Sequence, residues 1–402
     1  MEIIRAKLMS LTVFRNMLET EPVKCLLRLT EAKTPDALIK GYADLLYTVW
    51  SEGHGNLADA LAWHLKYDES FFGKAMALGK SNRAMEDAAA MDIRRLASIG
   101  MISCAGLKRN IQAACVQRNQ EYGAIVQNMA ELPVGRSFTE EEIFESFRRY
   151  GCGRFAAAKA FHWEKGQLTE IAVPAALSPS EMIGYEIQRN AVIENTRALV
   201  NGLPANNVLL YGDSGTGKSA TIKSLIRIPE FYGLRIVEIA RNSLSEITTL
   251  VKMLGTYTQK FIVYIDDLSF EKEDQSFSEL KTALEGGLEA RPSNVIICAT
   301  SNRRHMIRES FSDRDGDDVH AKETVEERTS LAERFGLRLA YLSLDKKRFN
   351  DMVLEMCLQK GVRMEAVQIL TEANRWEIRH GGRTPRVAEQ LVAYLAGEAV
   401  NA

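Results

Sequence analysis

Apolar positions in this chain change their spacing along its length, and each spacing predicts a different kind of element. Up to about residue 150 they recur every three or four residues. Leu38, Tyr42, Leu45, Leu46 and Val49 form one stripe, Leu57, Leu61 and Leu65 a second, and Ala88, Met91, Ile93, Leu96 and Ile99 a third. Such spacing places apolar side chains on one face of successive helices. Turn clusters at Ser51–Gly55 and Leu132–Gly135 separate the stripes, and Thr139 before three glutamates reads as a helix cap with an acidic first turn. After Gly151 the pattern predicts a short hairpin, Phe155–Trp163 and Gln167–Val173 around Glu164-Lys165-Gly166, then a linker through Pro174 and Pro179. A helical stretch, Gln188–Gly202, follows.

Beyond residue 205 continuous apolar runs alternate with helical ones. Val208–Tyr211, Arg235–Ala240, Phe261–Asp267 and Asn294–Asn302 read as buried strands, with helical segments such as Ser276–Ala290 between them. That alternation predicts an α/β fold, a parallel sheet with helices on both faces. From Lys346 onward the chain reads as helices only, broken at Gly361 and at Gly381-Gly382.

The stretch VLLYGDSGTGKS, Val208–Ser219, carries the clearest chemistry. An apolar strand enters a loop with Gly212, Gly215 and Gly217 and leaves through Lys218 and Ser219 into a helix, which fits the phosphate-binding pattern G-x-x-x-x-G-K-[ST] in its strand, loop, helix setting. Glycines admit the backbone conformations that turn N–H groups toward phosphate oxygens, and the helix adds its positive N-terminal end. Gly212, Asp213, Ser214, Gly215, Thr216, Gly217, Lys218, Ser219 and Ala220 are the expected nucleotide-binding segment. Lys218 is expected on the β- and γ-phosphates and Ser219 on a Mg²⁺ that bridges them. The apolar run Ile262–Ile265 delivers Asp266 to the C-terminal edge of the sheet, where such folds bind ligands, so Asp266 is the expected partner of Ser219 at the metal. Asp267 is expected to orient or deprotonate the attacking water. Asn302, ending the next apolar strand, is expected to contact the γ-phosphate or that water. The expected ligands are ATP and Mg²⁺.

Composition narrows the classes further. In 402 residues, 46% hydrophobic and 26% charged, the chain has material for two or three domains with real cores. A net charge of -2 gives no global nucleic-acid signal. The six cysteines are scattered, without a C-x-x-C pair or histidines at metal-ligand spacing, and read as buried thiols of a reducing cytoplasm. No apolar run approaches the length of a membrane span, so the expected location is cytoplasmic.

Phosphate loop, Asp-Asp strand end, Asn strand end, Glu333-Arg334-Phe335-Gly336 and Gly382-Arg383-Thr384-Pro385-Arg386 stand in the order seen in AAA+ ATPases. More closely, residues 180 to 400 resemble a bacterial group of AAA+ proteins known only as a domain of unknown function. The resemblance implies a P-loop NTPase sheet over residues 179–345, a mostly helical N-terminal domain over 1–178 and a small helical lid over 346–402. It also implies roles. Arg334 resembles the arginine finger that reaches the nucleotide of a neighbouring subunit. Arg386 resembles the second sensor arginine of the lid, with Arg383 as the competing candidate, and Ile183 to Tyr185 resembles the segment bordering the adenine. Most AAA+ motors carry Glu where this chain has Asp267, which leaves slow hydrolysis or a switch role open. The charged stretch Arg308–Arg328 reads either as a loop sensing a neighbouring subunit or partner, or as a solvated insertion. Arg303, Arg304 and His305 could meet nucleic acid or a neighbouring subunit. The functional expectation is a homo-oligomeric ring or arc that hydrolyses ATP between subunits and remodels an unidentified macromolecule, more readily a protein than a nucleic acid. The alternative is a nucleotide-dependent binding switch or loader with slow or single-turnover hydrolysis.

Overall fold

The computed structural model describes residues 1–172, 174, 176–268, 275–285, 291–302 and 331–401. The chain divides into two compact units, Met1–Ala157 and Ala158–Ala402.

The first unit is all helical: α1 (Glu2–Met9), α2 (Glu21–Glu31), α3 (Pro35–Ser51), α4 (Leu57–Lys66), α5 (Phe71–Ala77), α6 (Arg83–Gly100), α7 (Cys104–Val116), α8 (Gln120–Gln127), α9 (Glu140–Tyr150) and α10 (Arg154–Ala157). Local sequence sets the helix starts. Thr34, Asn56, Ser70, Asn82 and Thr139 each accept the N–H three residues on, and Thr139 with Glu142 closes a full capping box. Tyr42, Leu45 and Val49 of the first stripe and Leu57, Leu61 and Leu65 of the second are buried as their period predicts. The third stripe differs at one position. Met91 is 54% exposed, whereas Asp92 is wholly buried. The reason is a backbone turn that needs an acceptor. Asp92 Oδ2 accepts the N–H groups of Thr12 at 2.8 Å, Val13 at 2.7 Å and Phe14 at 3.3 Å, and Oδ1 accepts from Arg95 at 2.8 Å. The buried charge is thereby satisfied on both oxygens, and the turn delivers Phe14 to the ring of Phe72, 5.8 Å away.

The second unit holds a seven-stranded sheet: β1 (Ala160–Glu164), β2 (Gln167–Glu170), β3 (Val208–Gly212), β4 (Leu234–Ile239), β5 (Lys260–Ile265), β6 (Val295–Ser301) and β7 (Leu337–Tyr341), in the order β2-β1-β4-β5-β6-β3-β7. All pairs are parallel except β1 with β2. Helices α11 (Glu186–Val200), α12 (Lys218–Ser224), α13 (Ile247–Gly255) and α14 (Gln275–Glu285) connect and cover the strands. The parallel sheet flanked by helices that the AAA+ resemblance implies is therefore the fold of this unit. β3, β5 and β6 are almost wholly buried, as continuous apolar runs in a two-sided parallel sheet must be.

Two elements depart from the sequence reading. The hairpin forms over a narrower span, with Phe155 in the helical turn α10. Its first strand pairs in parallel with β4, so it extends the edge of the parallel sheet. Trp163 Nε1 donates to Glu246 at 2.7 Å and fixes that edge to the rest of the sheet. Strand β7 was not anticipated. It lies directly beside the phosphate-loop strand β3, pairing from Val208 with Leu337 to Gly212 with Tyr341.

The remaining helices, α15 (Lys346–Gln359), α16 (Ala366–His380) and α17 (Pro385–Asn401), pack around Phe349, Val353, Ala373, Leu391 and Leu395. No helix among the described residues is long and apolar enough to cross a membrane.

The Asp92 nest gives a test of the first unit. Asp92→Ala strands several buried donors at once and is expected to cost about 3–5 kcal/mol, read as a lower denaturant midpoint. Asp92→Asn, which keeps an acceptor, is expected to lose less.

Candidate functional site: the phosphate loop and the two strand ends

The loop after β3 is shaped by its glycines and by β7. Gly212, Gly215 and Gly217 take φ of +129°, +74° and +91°. At Gly212 a Cβ would stand 2.3 Å from the Tyr341 carbonyl oxygen, so no side chain fits between the two strands. Asp213 then anchors the loop, its N–H donating to the same carbonyl at 2.9 Å and its carboxylate accepting from Ser343 N at 2.7 Å and Ser343 Oγ at 2.5 Å. Thr216 Oγ1 closes the turn on the Asp213 carbonyl at 2.8 Å, and Ser214 is exposed at the loop tip. Lys218 is buried and donates to the loop carbonyls of Gly212 at 3.1 Å and Asp213 at 2.6 Å. Burial pulls its ammonium below the ordinary lysine range. The carboxylates of Asp213, Asp267 and Asp266 oppose that, while the Arg386 guanidinium adds to it.

Beside the loop, β5 and β6 end in hydroxyl and carboxyl groups that lock together. Ser219 Oγ donates to Asp266 Oδ1 at 2.8 Å, and Thr300 Oγ1 donates to the same oxygen at 2.7 Å. Thr300 also accepts the Asp267 N–H at 2.9 Å, so one hydroxyl links both carboxyl-bearing residues. Burial alone would raise the Asp266 pKa. The neighbouring hydroxyls of Tyr264, Thr300 and Ser219, with the charge of Lys223, outweigh it and hold the carboxyl below its ordinary value. An ionised carboxylate against a hydroxyl is a hard oxygen pair of the kind Mg²⁺ takes.

Asp267 turns away from its neighbour because its backbone is left-handed, with φ +53°. Among residues with a side chain, Asp and Asn adopt this region most readily. That is a physical reason for the short carboxylate here. Asn302 Nδ2 donates to Asp267 Oδ1 at 2.8 Å, so the expected water-orienting acid and the expected sensor form one exposed pair.

The family described as "Protein of unknown function (DUF815)" matches residues 156–399, the whole second unit apart from its last residues. The chain belongs to that family. No curated protein matches it. Among solved structures it is similar to the Thermotoga maritima RuvB Holliday junction branch migration motor, at 16% identity over 56% of this chain and 71% of that chain with a TM-score of 0.37. A mutant of the same protein matches at 15% identity over 56% and 72% with a TM-score of 0.38. At such scores the fold assignment of this DUF815 chain stands on its own sheet and loop.

The lid meets the phosphate loop directly. Arg386 N donates to the Gly215 carbonyl at 3.2 Å, and Leu344 N to the Arg383 carbonyl at 2.9 Å. The Arg383 side chain is turned into the lid, donating to Glu377 at 2.6 Å, whereas Arg386 is exposed beside the loop and its charge is felt at Lys218. Tyr185, also left-handed at φ +55°, stacks on Tyr341 with ring centroids 4.9 Å apart and donates to the Leu342 carbonyl at 2.6 Å. Ile183, Tyr185, Gly217, Ala220, Tyr341 and Pro385 enclose a cavity of about 50 Å³ between loop and lid. It has room for only a few waters; on the other side of Ile183–Tyr185 a larger cavity of about 700 Å³ is lined also by Gln188, Leu342 and Arg348.

Arg334 donates through Nε to Glu285 on α14 at 2.5 Å. The other expected site residues converge on the loop without it. Arg303, Arg304, His305 and the stretch Arg308–Arg328 lie outside the described residues. Sequence reasoning placed Thr300 at the polar end of its strand but gave it no role, and it missed Tyr341 and Ser343. Those two residues at the end of β7 carry no signal without their strand.

The close approach at Gly212 gives a sharp test. Gly212→Ala adds a forbidden contact to a left-handed φ and is expected to cost about 3 kcal/mol or more, seen as a lowered unfolding midpoint together with loss of nucleotide binding.

Proposed function

We propose that this chain is an ATP-hydrolysing AAA+ protein that works as a homo-oligomeric ring or arc, completes its site between subunits, and remodels a protein partner. The observation that carries the reading is the convergence of Ser219, Asp266, Thr300, Asp267 and Asn302 on one edge of the sheet beside the phosphate loop. Backbone N–H groups from Gly212 to Ser219 would hold the phosphates, and Lys218 would exchange its two loop carbonyls for phosphate oxygens. Ser219 and Asp266 would hold Mg²⁺, which supplies charge neutralisation at the phosphates when bound. Asp267 and Asn302 together would orient the attacking water, the carboxylate accepting its proton. Arg386 would approach the phosphates from the lid, and Ile183, Tyr185 and Ala220 would border the base. Arg334 would leave Glu285 and enter the site of the adjacent subunit, where a guanidinium stabilises transition-state charge. The near-neutral charge of -2 favours a protein partner over nucleic acid, and six free cysteines suit a cytoplasmic location.

A second reading, a nucleotide-dependent switch or loader with slow turnover, draws on the short carboxylate of Asp267 and its engagement by Asn302. Single-turnover hydrolysis with retained ADP distinguishes it from a motor.

Three substitutions test the site. Lys218→Ala is expected to weaken ATP binding ~100-fold. Asp267→Asn is expected to keep binding and lower turnover by about 10²–10⁴, and Arg334→Ala to keep binding and lose roughly 10³ in turnover. Mixing the Asp267→Asn and Arg334→Ala proteins should restore part of the turnover, because some interfaces then combine an intact acid with an intact finger. Full turnover by oligomeric Arg334→Ala removes the finger, and absence of any ATP binding by the unaltered chain removes the reading as a whole.

A further inference from the structure

Tyr264 lies two residues before Asp266 on β5 and is wholly buried. Strand alternation puts both side chains on the same face of the sheet, and the register that pairs Tyr264 with Cys298 and Ile265 with Ala299 brings Thr300 level with Asp266. The face is covered by the phosphate-loop helix. Lys223 of α12 stands 5.6 Å from the Tyr264 ring centroid and pairs with Glu238 at 3.8 Å. The residue thus lies among the elements that carry Ser219, Asp266 and Thr300, and it also lines a cavity of about 280 Å³ with Lys223, Ile236 and Glu238.

Its hydroxyl has no hydrogen-bond partner among the described residues. It lies against the hydroxyls of Ser219 and Thr300 and the Asp266 carboxylate, short of hydrogen-bond geometry with any of them. A buried hydroxyl left unpaired costs stability that a phenylalanine of nearly the same shape would not. Asp266 already receives Ser219 and Thr300, both on Oδ1. The Tyr264 hydroxyl is a third donor on the same face, and Asp266 Oδ2 takes no bond from Ser219 or Thr300.

We propose that Tyr264 is a positioning residue of the metal site, its hydroxyl donating to Asp266 when Mg²⁺-nucleotide is held and fixing the orientation in which the carboxylate faces the cation. The inference rests on the reading of Ser219 and Asp266 as the Mg²⁺ pair. It makes the hydroxyl a liability in the nucleotide-free protein and an asset in the loaded one. The two states therefore respond to its removal in opposite directions.

The test is Tyr264→Phe in the full chain, with three readouts. In the absence of nucleotide its melting temperature is expected to equal or exceed that of the unaltered protein. ATP binding in excess chelator, measured with a fluorescent analogue, should be unchanged. The Mg²⁺ concentration that half-saturates the metal-dependent increase in binding should rise about tenfold, the size of one hydrogen bond to a charged group. In an Asp266→Ala background the same substitution should produce no further shift, since its acceptor is gone. An unchanged Mg²⁺ half-saturation overturns the proposal, as does a melting temperature lowered by several degrees or a fully additive effect with Asp266→Ala. If the unaltered chain binds ATP with no dependence on Mg²⁺, the metal reading of Ser219 and Asp266 falls and Tyr264 falls with it. Metal dependence that Tyr264→Phe leaves intact strikes Tyr264 alone.

Discussion

A single buried hydroxyl, that of Thr300, holds the ends of β5 and β6 in the relation on which the rest of the site depends. It gives its proton to Asp266 and takes the N–H of Asp267, while the Leu268 N–H donates to the Thr300 carbonyl at 2.6 Å. The strands are thus tied past the end of their ladder. Because the hydroxyl acts once as donor and once as acceptor, the Asp266 carboxylate and the Asp267 backbone are held in one fixed relation. In a region of low dielectric those bonds are stronger than in water, and leaving one unmade is correspondingly costly. The left-handed turn at Asp267 is over-determined in this way. A strained residue of that kind persists only where its surroundings hold it.

The phosphate loop is shaped by a second set of constraints that come from outside its own sequence. Tyr341 at the end of β7 and Ser343 just beyond it take the Asp213 backbone and carboxylate, and the Tyr341 ring carries Tyr185 on one side and meets Thr221 Oγ1 at 3.0 Å through its hydroxyl. The segment Ile183–Tyr185, the loop and the lid linker therefore share one aromatic hub. The chain runs from that hub through Leu342 to Asp345 into the lid, so the packing that shapes the loop is continuous with the lid's attachment.

How far such a site can be read from residues alone depends on whether each residue's signal is local. The phosphate loop, Asp266, Asp267 and Asn302 were legible because a glycine pattern or a carboxylate after an apolar run is a local statement, and the sheet supplies the rest. The parallel fold followed from alternation, and Thr139 announced its helix through its own side chain. Asp92 was not legible. A charged residue inside an apolar stripe looks like its exposed side, and only the three backbone donors, some eighty positions away along the chain, explain why it is buried while Met91 is not. Strand β7 was hidden for a related reason. Leu337 to Tyr341 is five residues long with Arg338 exposed at the sheet edge, and a pattern that short does not separate strand from loop.

The placement of Lys218 bears on how the loop can discriminate. Its ammonium already holds two carbonyl oxygens of the loop, so taking a phosphate exchanges neutral acceptors for charged ones and creates no new count of bonds. The gain is the difference between those two kinds of partner, reduced by the carbonyls left behind and by the Arg386 charge nearby. What favours the exchange is the field of the phosphates themselves, and what opposes it is the carboxylate of Asp213, which stabilises the ammonium where it lies. Asp213 is in turn neutralised in part by two donors from Ser343. Under the proposed reading, phosphate binding at this loop would be coupled to the lid linker through a carboxylate that need not touch the nucleotide.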